Sequence, residues 1–213
     1  MKKGAQITAL AAAGLWFVLQ MYNVINQIIT NDGIRSNFKS LIDLCIANLP
    51  GMFFSATICA VFIADLAHKT IKHESILYII AAILCLPTII QGSINLFNLL
   101  VYKNHFLKPD LQTFTTLGID FSILLLWILV FVYLTAMVLH RDKLKKVIVP
   151  LFMVSIIANL VATLLQYFNP VFKFEDLWFF LLITLLIFIL LFLAISGFML
   201  RGIKASSKTE EIA

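Results

Sequence analysis

The side chains with the clearest chemical potential in this sequence are uncharged amides and hydroxyls that recur at helical spacing inside long apolar stretches. Positions i, i+3, i+4 and i+7 share one face of a helix, so each set forms a polar stripe. The stripes comprise Gln20, Asn23 and Gln27 in the first apolar stretch, Gln91, Asn95 and Asn98 in the third, Asn159, Thr163 and Gln166 in the fifth, and the single amide Asn48 in the second. Such groups both donate and accept hydrogen bonds, so they suit a neutral or zwitterionic small molecule or a lipid better than a metal ion.

A second interpretation of the stripes is purely structural. Asn and Gln side chains join transmembrane helices through hydrogen bonds, each contributing about 0.6 kcal/mol on average. Exposing uncharged polar groups to hydrocarbon costs free energy. Both interpretations therefore predict that the stripes face protein or water. The sequence leaves the choice between a ligand pocket and interhelical bonding open.

The elements that carry the stripes are six stretches without any Asp, Glu, Lys or Arg, in a chain that is 62% hydrophobic and only 13% charged. A hydrocarbon core about 30 Å thick requires ~20 apolar residues per helix, and each stretch is long enough. The sequence therefore predicts an all-α, polytopic integral membrane protein in one domain, 1–203, a six-helix bundle with spans at about 6–29, 40–66, 75–102, 117–139, 147–168 and 176–200. The remaining residues, 204–213, are predicted to form a polar, disordered cytoplasmic tail.

The distribution of positive charge predicts the orientation of the bundle. The N-terminus, the second and fourth loops and the C-terminal tail hold eleven Lys and Arg, whereas the other three loops hold five. Because cytoplasmic loops retain positive charge, we expect both termini in the cytoplasm and the chain in the plasma (inner) membrane. The basic residues are scattered as flanks of apolar segments, so the net charge of +5 does not indicate a nucleic-acid partner.

The first helix is expected to change character along one face. Toward the cytoplasm, Ala5, Ala9 and Ala13 continue the stripe of Gln20 at the four-residue spacing that lets helices approach closely. The polar stripes of the first, third and fifth spans all occupy the outer half, because these spans run in the same direction. The sequence therefore predicts a bundle closed on the cytoplasmic side and open on the outside.

Three further features concern the shape of the bundle. Pro50 and Pro87 are expected to bend the second and third spans. The fourth and sixth spans have almost no polar residues in their middle, so we expect them at the lipid-facing periphery. The remaining interior candidates, predicted to be apolar packing residues rather than metal or redox groups, are Trp16, Trp127, Cys45, Cys59 and Cys85.

Charged residues near the ends of the spans allow two interpretations each. The carboxylates Asp43, Asp120, Glu175 and Asp176 stand near the outer ends, where they either stabilise the first turn of a helix or form a cation or proton site. A cytoplasmic cluster of Asp65, His68, Lys69 and His73 contains a possible Asp65–Lys69 pair and is predicted to be solvated rather than metal-binding. The basic run from Arg141 to Lys146 is expected to keep its loop on the cytoplasmic side, and the alternative interpretation is that it binds anionic lipid.

Three classes of function remain. The first is a binding or transport component that uses the outer polar pocket, the second a non-catalytic subunit that contacts a partner membrane protein through its helices, and the third a membrane enzyme with outer carboxylates. No catalytic motif, metal site or cofactor site is recognisable. In length, helix number, outward-facing site and the stripe of Ala5, Ala9 and Ala13, the chain is similar to substrate-binding subunits of energy-coupling-factor vitamin transporters. That resemblance implies a binding role, without implying any particular binding residue.

Overall fold

The chain forms seven helices in the computed structural model, which describes the backbone of residues 3–69, 71, 73–102, 111–167 and 174–210, and the side chains there except those of 35, 102, 111–113, 167, 174–180 and 204–210. The helices are α1 (Lys3–Thr30), α2 (Asp32–Ser36), α3 (Phe38–Leu66), α4 (Glu74–Tyr102), α5 (Leu111–Val138), α6 (Asp142–Tyr167) and α7 (Phe174–Glu210). All except the short α2 are long and apolar enough to cross a bilayer. The predicted polytopic six-helix membrane bundle is thus confirmed.

The structure adds helix at two places where the sequence predicted none. After α1, the Asn31 side chain accepts hydrogen bonds from the backbone N–H groups of Gly33 and Ile34 and so caps α2. At the other end of the chain, α7 continues to Glu210 and includes most of the segment predicted to be a disordered tail. Lys, Ala and Glu are good helix formers, and no Pro or Gly follows Gly202 to end the helix.

The six spanning helices form a closed ring. Each packs against its neighbour along the chain, and α7 returns to pack against α1, while α3 and α7 also touch across the ring. The prediction that the fourth and sixth spans lie at the periphery is therefore wrong: α5 packs between α4 and α6, and α7 between α6 and α1. Protein interior and lipid are both apolar, so a lack of polar residues does not distinguish a buried helix face from a lipid-facing one.

An even number of spans puts both chain ends at one face of the bundle, which we call the terminal face; the other is the opposite face. In the half next to the terminal face, α1 and α7 approach closely. Ala9 and Ala13 are buried to 2% and 0% exposure, and a Cβ added to Gly197 would lie 2.5 Å from the Cβ of Ala9. Ala12 joins this packing, whereas Ala5 is exposed. The small residues thus bring two helices of the same chain together.

Two of the spans end at the terminal face in the same way. His68 and His140 adopt positive φ values of 54° and 52°. Beyond them, the backbone N–H groups of Lys69 and Arg141 donate to the carbonyls of Ala64 and Ala136. This bond, to a carbonyl five residues earlier, is typical of a left-handed helix C-cap, and it satisfies carbonyls that the end of a helix leaves free. In the cluster of Asp65, His68, Lys69 and His73, the backbone of His68 thus helps to end α3.

Candidate functional site

The terminal half of the bundle is filled by a cluster of aromatic rings centred on Phe198. Its ring meets those of Phe54, Tyr78 and Tyr133 edge-to-face, at centroid distances of 5.7, 5.8 and 5.9 Å, and Trp16 extends the cluster from Phe54 at 6.3 Å. The hydroxyl of Tyr133 donates to the Met199 carbonyl at 2.7 Å. We call these five rings the aromatic plug, because they join α1, α3, α4, α5 and α7 across the ring of helices.

An ionic cluster lies on the terminal side of the plug and ties three helices together. The Arg201 guanidinium on α7 binds Asp65 on α3 through two hydrogen bonds, Nε to Oδ2 at 2.6 Å and Nη2 to Oδ1 at 2.8 Å. Its Nη1 donates to Glu74 Oε1 on α4 at 2.7 Å and to the Tyr78 hydroxyl at 3.2 Å. The Arg201 side chain is only 17% exposed, so these bonds are largely shielded from water.

The ionic cluster corrects the interpretation of Asp65. Sequence spacing suggested a solvated pair with Lys69, but the carboxylate of Asp65 binds Arg201 instead. In the sequence, Arg201 is one of the positive charges of the C-terminal segment. Its position directly after the uncharged stretch 177–200 was the signal available in the sequence, because a charge so close to the hydrocarbon requires a partner.

A central cavity of about 410 Å³ lies on the other side of the plug, enclosed by α1, α3, α5, α6 and α7. Aromatic and aliphatic side chains make most of its wall, and Trp16, Phe54 and Phe152 are among them. Its polar lining consists of Gln20, Asn159 and Thr163. On α1 and α6, which run from the terminal to the opposite face, these residues follow Trp16 and Phe152, so the polar lining lies on the opposite side of the apolar floor.

The amide of Gln20 occupies a special place in this cavity. Its Oε1 atom is buried without a hydrogen-bond partner in the described structure. The same amide rests against the backbone of α3, since a Cβ on Gly51 would come within 2.5 Å of Gln20 Nε2. Glycine at position 51 therefore makes room for Gln20, whose acceptor oxygen has no partner in the described structure.

Asn159 combines both interpretations of the polar stripes. Its Nδ2 donates to Ser122 Oγ at 2.6 Å and to the Ile119 carbonyl at 3.3 Å, both on α5. Asn159 is also buried, at 5% exposure, and lines the central cavity. Its partner Ser122 belongs to none of the predicted polar stripes. We expect a substitution of Asn159 to disturb the α5–α6 contact as well as the cavity.

Two other cavities adjoin the central one. A window cavity of about 170 Å³ between α1 and α7 shares Trp16 and Gln20 with it and also contains Asn23. Leu19 and Ile187, which complete the lining with Leu190, are exposed on the apolar outer surface. The window cavity therefore connects the wall around Gln20 with the lipid-facing surface of the bundle.

A side cavity of about 770 Å³ lies between α3, α4 and α5. Gln91 and Asn95 face it, together with the charged side chains of Lys39, Asp43 and Asp120. Ile123 and Trp127 of α5 line both this cavity and the central one, and so form the partition between them. The polar stripes of α1 and α6 thus share one cavity, whereas the stripe of α4 faces another.

The remaining predicted side chains line none of the described cavities. Gln27 donates to Asn23, and Asn48 donates to the Leu44 carbonyl, both within their own helices. Asn98 is exposed and Gln166 half-buried. Among the predicted packing residues, Trp16 and Cys85 are buried, Trp127 and Cys59 are partly buried, and Cys45 is exposed, which corrects the expectation for that residue. The side chains of Glu175 and Asp176 lie outside the described residues.

The described cavities offer hydrogen bonding and apolar contact, and the side cavity also offers charges of both signs. Among the described residues, no group of three His, Cys, Asp or Glu side chains is placed to hold a metal ion. No family model, no curated protein and no solved structure matches the chain. The chain is a multi-pass membrane protein of six spanning helices, and its cavities are the features from which a function can be argued.

Proposed function

We propose that this protein is a binding or transport component of the membrane that holds an amphipathic small molecule or lipid in the central cavity. The observation that carries the proposal is an apolar cavity of about 410 Å³ whose polar lining, among the described residues, consists of Gln20, Asn159 and Thr163. Ligand sites in proteins have this character, with volumes of about 300–1,000 Å³, a mostly apolar wall and few polar groups that fix orientation.

The lining defines the chemistry of the ligand. Among the described residues, no charged side chain lines the central cavity, so a charged group would lose its hydration there without compensation. The free acceptor on Gln20 calls for a donor, such as a hydroxyl or an amide N–H of the ligand. We therefore infer a molecule with an apolar body and a neutral, hydrogen-bonding head.

The route to the cavity follows from the packing. The aromatic plug and the ionic cluster close the terminal side, whereas the window cavity extends from Gln20 to the lipid-facing surface between α1 and α7. An apolar ligand dissolved in the bilayer would reach the site through this window. Because positive charge accumulates at the terminal face, we place that face and both termini in the cytoplasm, with the chain in the plasma membrane. A reporter that is active only in the cytoplasm, fused after Ala213, tests the orientation.

The test of the binding site compares two substitutions on α1. We expect native mass spectrometry of the protein, extracted with its surrounding lipid, to detect a bound molecule whose occupancy Gln20→Leu lowers about three- to tenfold, as loss of one hydrogen bond would. Gln27→Leu is the matched control, because Gln27 lines none of the described cavities. Equal occupancy in both variants would exclude the central cavity as the site.

The same measurement separates the binding role from that of an accessory subunit. A stoichiometric protein partner together with an empty cavity would make the chain a subunit of that partner. Such a partner would have to use other surfaces than Ala9 and Ala13, since both are buried inside this bundle. An enzyme acting through outer carboxylates has less support, because the sequence contains no recognisable catalytic motif to accompany Asp43 and Asp120, which line the side cavity with Lys39.

A further inference from the structure

We propose that the side cavity is a second, separate binding site, which recognises a zwitterionic group consisting of an ammonium and a nearby phosphate or carboxylate. The site lies between α3, α4 and α5, is about 770 Å³ in volume and differs from the central cavity in carrying charge of both signs. The proposal does not depend on a ligand in the central cavity, because the two cavities share only the partition residues Ile123 and Trp127.

The first argument is the arrangement of the charges. Lys39 and Asp43 are one helical turn apart on α3, a spacing at which opposite charges commonly pair. They form no ion pair in the described structure, and both line the cavity. Asp120 lines the cavity from α5. A simple anion would face the carboxylate of Asp43 and a simple cation would face Lys39, whereas a zwitterion can place each of its charges beside the opposite sign.

The amides of α4 provide the second argument. Gln91 Nε2 donates to Asn95 Oδ1 at 2.9 Å, a bond that holds both side chains in one orientation at the cavity wall. Each amide has a carbonyl and an NH₂ group, so the bond leaves Gln91 Oε1 and Asn95 Nδ2 for other partners. The pair thus offers one acceptor and one donor side by side, which matches the ammonium and the anionic oxygen of a zwitterion.

The depth of the cavity supplies the third argument. Lys39 is the second residue of α3, so the charges lie near the opposite face, where lipid head groups are found. Deeper in the membrane, away from the opposite face, the cavity is lined by Thr88, Ile123 and Trp127. Thr88, whose buried Oγ1 lacks a partner in the described structure, is the polar residue of this deeper lining. Charge near the membrane surface with an apolar end deeper in the bilayer fits a molecule with a zwitterionic head and an apolar body.

Two sources carry this chemistry, a phosphatidylethanolamine lipid and a free amino acid with an apolar side chain. The experiment uses the full-length protein in nanodiscs that contain either phosphatidylethanolamine or phosphatidylglycerol, with lipid retention followed by native mass spectrometry. L-leucine is then titrated into the phosphatidylglycerol sample, and thermal stabilisation is measured. Selective retention of phosphatidylethanolamine assigns the site to a lipid, and stabilisation by L-leucine assigns it to a free zwitterion.

The variants locate the effect. Asp43→Asn should weaken the response about tenfold or more, since it removes the partner of the ammonium. Asp32→Asn makes the same change of net charge on α2, outside the cavity, and should leave the response unchanged. Gln20→Leu, in the central cavity, should also have no effect, so that the two proposals fail separately. Equal retention of both lipids together with no response to L-leucine, or equal responses of Asp43→Asn and Asp32→Asn, would overturn the proposal.

Discussion

The two halves of this bundle are formed by the same six helices but differ in how tightly these helices pack. In the terminal half, Ala9 and Gly197 allow α1 and α7 to touch, the aromatic plug fills the centre, and Arg201 bridges α3, α4 and α7. In the opposite half, the helices enclose cavities of about 410 and 770 Å³. The terminal half is closed by packing and polar bonds, whereas the opposite half leaves space between its helices.

The difference in packing between the halves reflects the forces that stabilise a small membrane bundle. Lipid is as apolar as the protein interior, so close packing and polar bonds must provide the stability that hydrophobic burial provides in water. Among the described residues, the terminal half has the aromatic plug, the ionic cluster and the close contact of α1 with α7, and the opposite half has the bonds of Asn159 to α5. A bundle that is stabilised by packing at one end can contain cavities at the other and still remain folded.

The largest effect is expected where α1 and α7 touch. Gly197→Ala forces a Cβ to within 2.5 Å of the Ala9 Cβ, and we expect a loss of about 2–3 kcal/mol from overpacking. The midpoint of thermal unfolding in detergent, followed by tryptophan fluorescence, should fall by several degrees, at about 2–4 °C per kcal/mol. Gly14→Ala is the control, because a Cβ there meets no atom within 4 Å. It should leave the midpoint unchanged or raise it; similar losses in both variants would contradict the close contact.

A somewhat smaller effect is expected from the ionic cluster. Arg201→Met leaves Asp65 and Glu74 without their shared cation, and we expect a loss of about 2 kcal/mol, less than for a fully buried pair because the side chains retain some contact with water. Arg201→Lys keeps the charge but loses the bidentate hydrogen bond to Asp65, so its loss of stability should lie between those of Arg201→Met and the wild-type protein. The exposed Arg141→Met serves as the control in the same thermal measurement. An Arg201→Met protein as stable as the control would show that the cluster does not lock the terminal half.

The smallest effect is expected from added volume in the hollow half. Leu126→Phe enlarges a side chain that lines the central cavity, and we expect a change in stability of less than about 1 kcal/mol, since empty space is available. Ala13→Val, with its added carbons in the fully buried contact of α1, should cost about 1–3 kcal/mol. Thermal midpoints of the two variants test the contrast between the halves. Equal losses would mean that both halves are packed alike.

Much of the fold could be predicted because the bilayer restricts the choices. A span needs ~20 apolar residues and cannot tolerate unpaired charge, so uncharged stretches located all six helices. The prediction that the small residues of α1 and its amides occupy different halves agrees with the positions of Ala9, Ala13 and Gln20. The predicted bends at Pro50 and Pro87 stay a prediction, although both residues lie inside helices.

The assignment of partners could not be predicted. Spacing along one helix suggested Asp65 with Lys69, but Asp65 binds Arg201, 136 residues away. The three polar stripes looked equivalent, yet the rotation of α4 turns Gln91 and Asn95 to the side cavity, behind the partition of Ile123 and Trp127. Periodicity shows which residues share a face of a helix, and it contains no information about what that face meets.

A six-helix membrane bundle could be inferred from the residues alone, because solvation in hydrocarbon depends mainly on the composition of each stretch. The closure of the helices into a ring, the aromatic plug with its shared arginine, and the division of the polar stripes between two cavities became visible only in the folded structure. Those features depend on how each helix is rotated about its axis. That rotation is set by contacts between residues far apart in the chain.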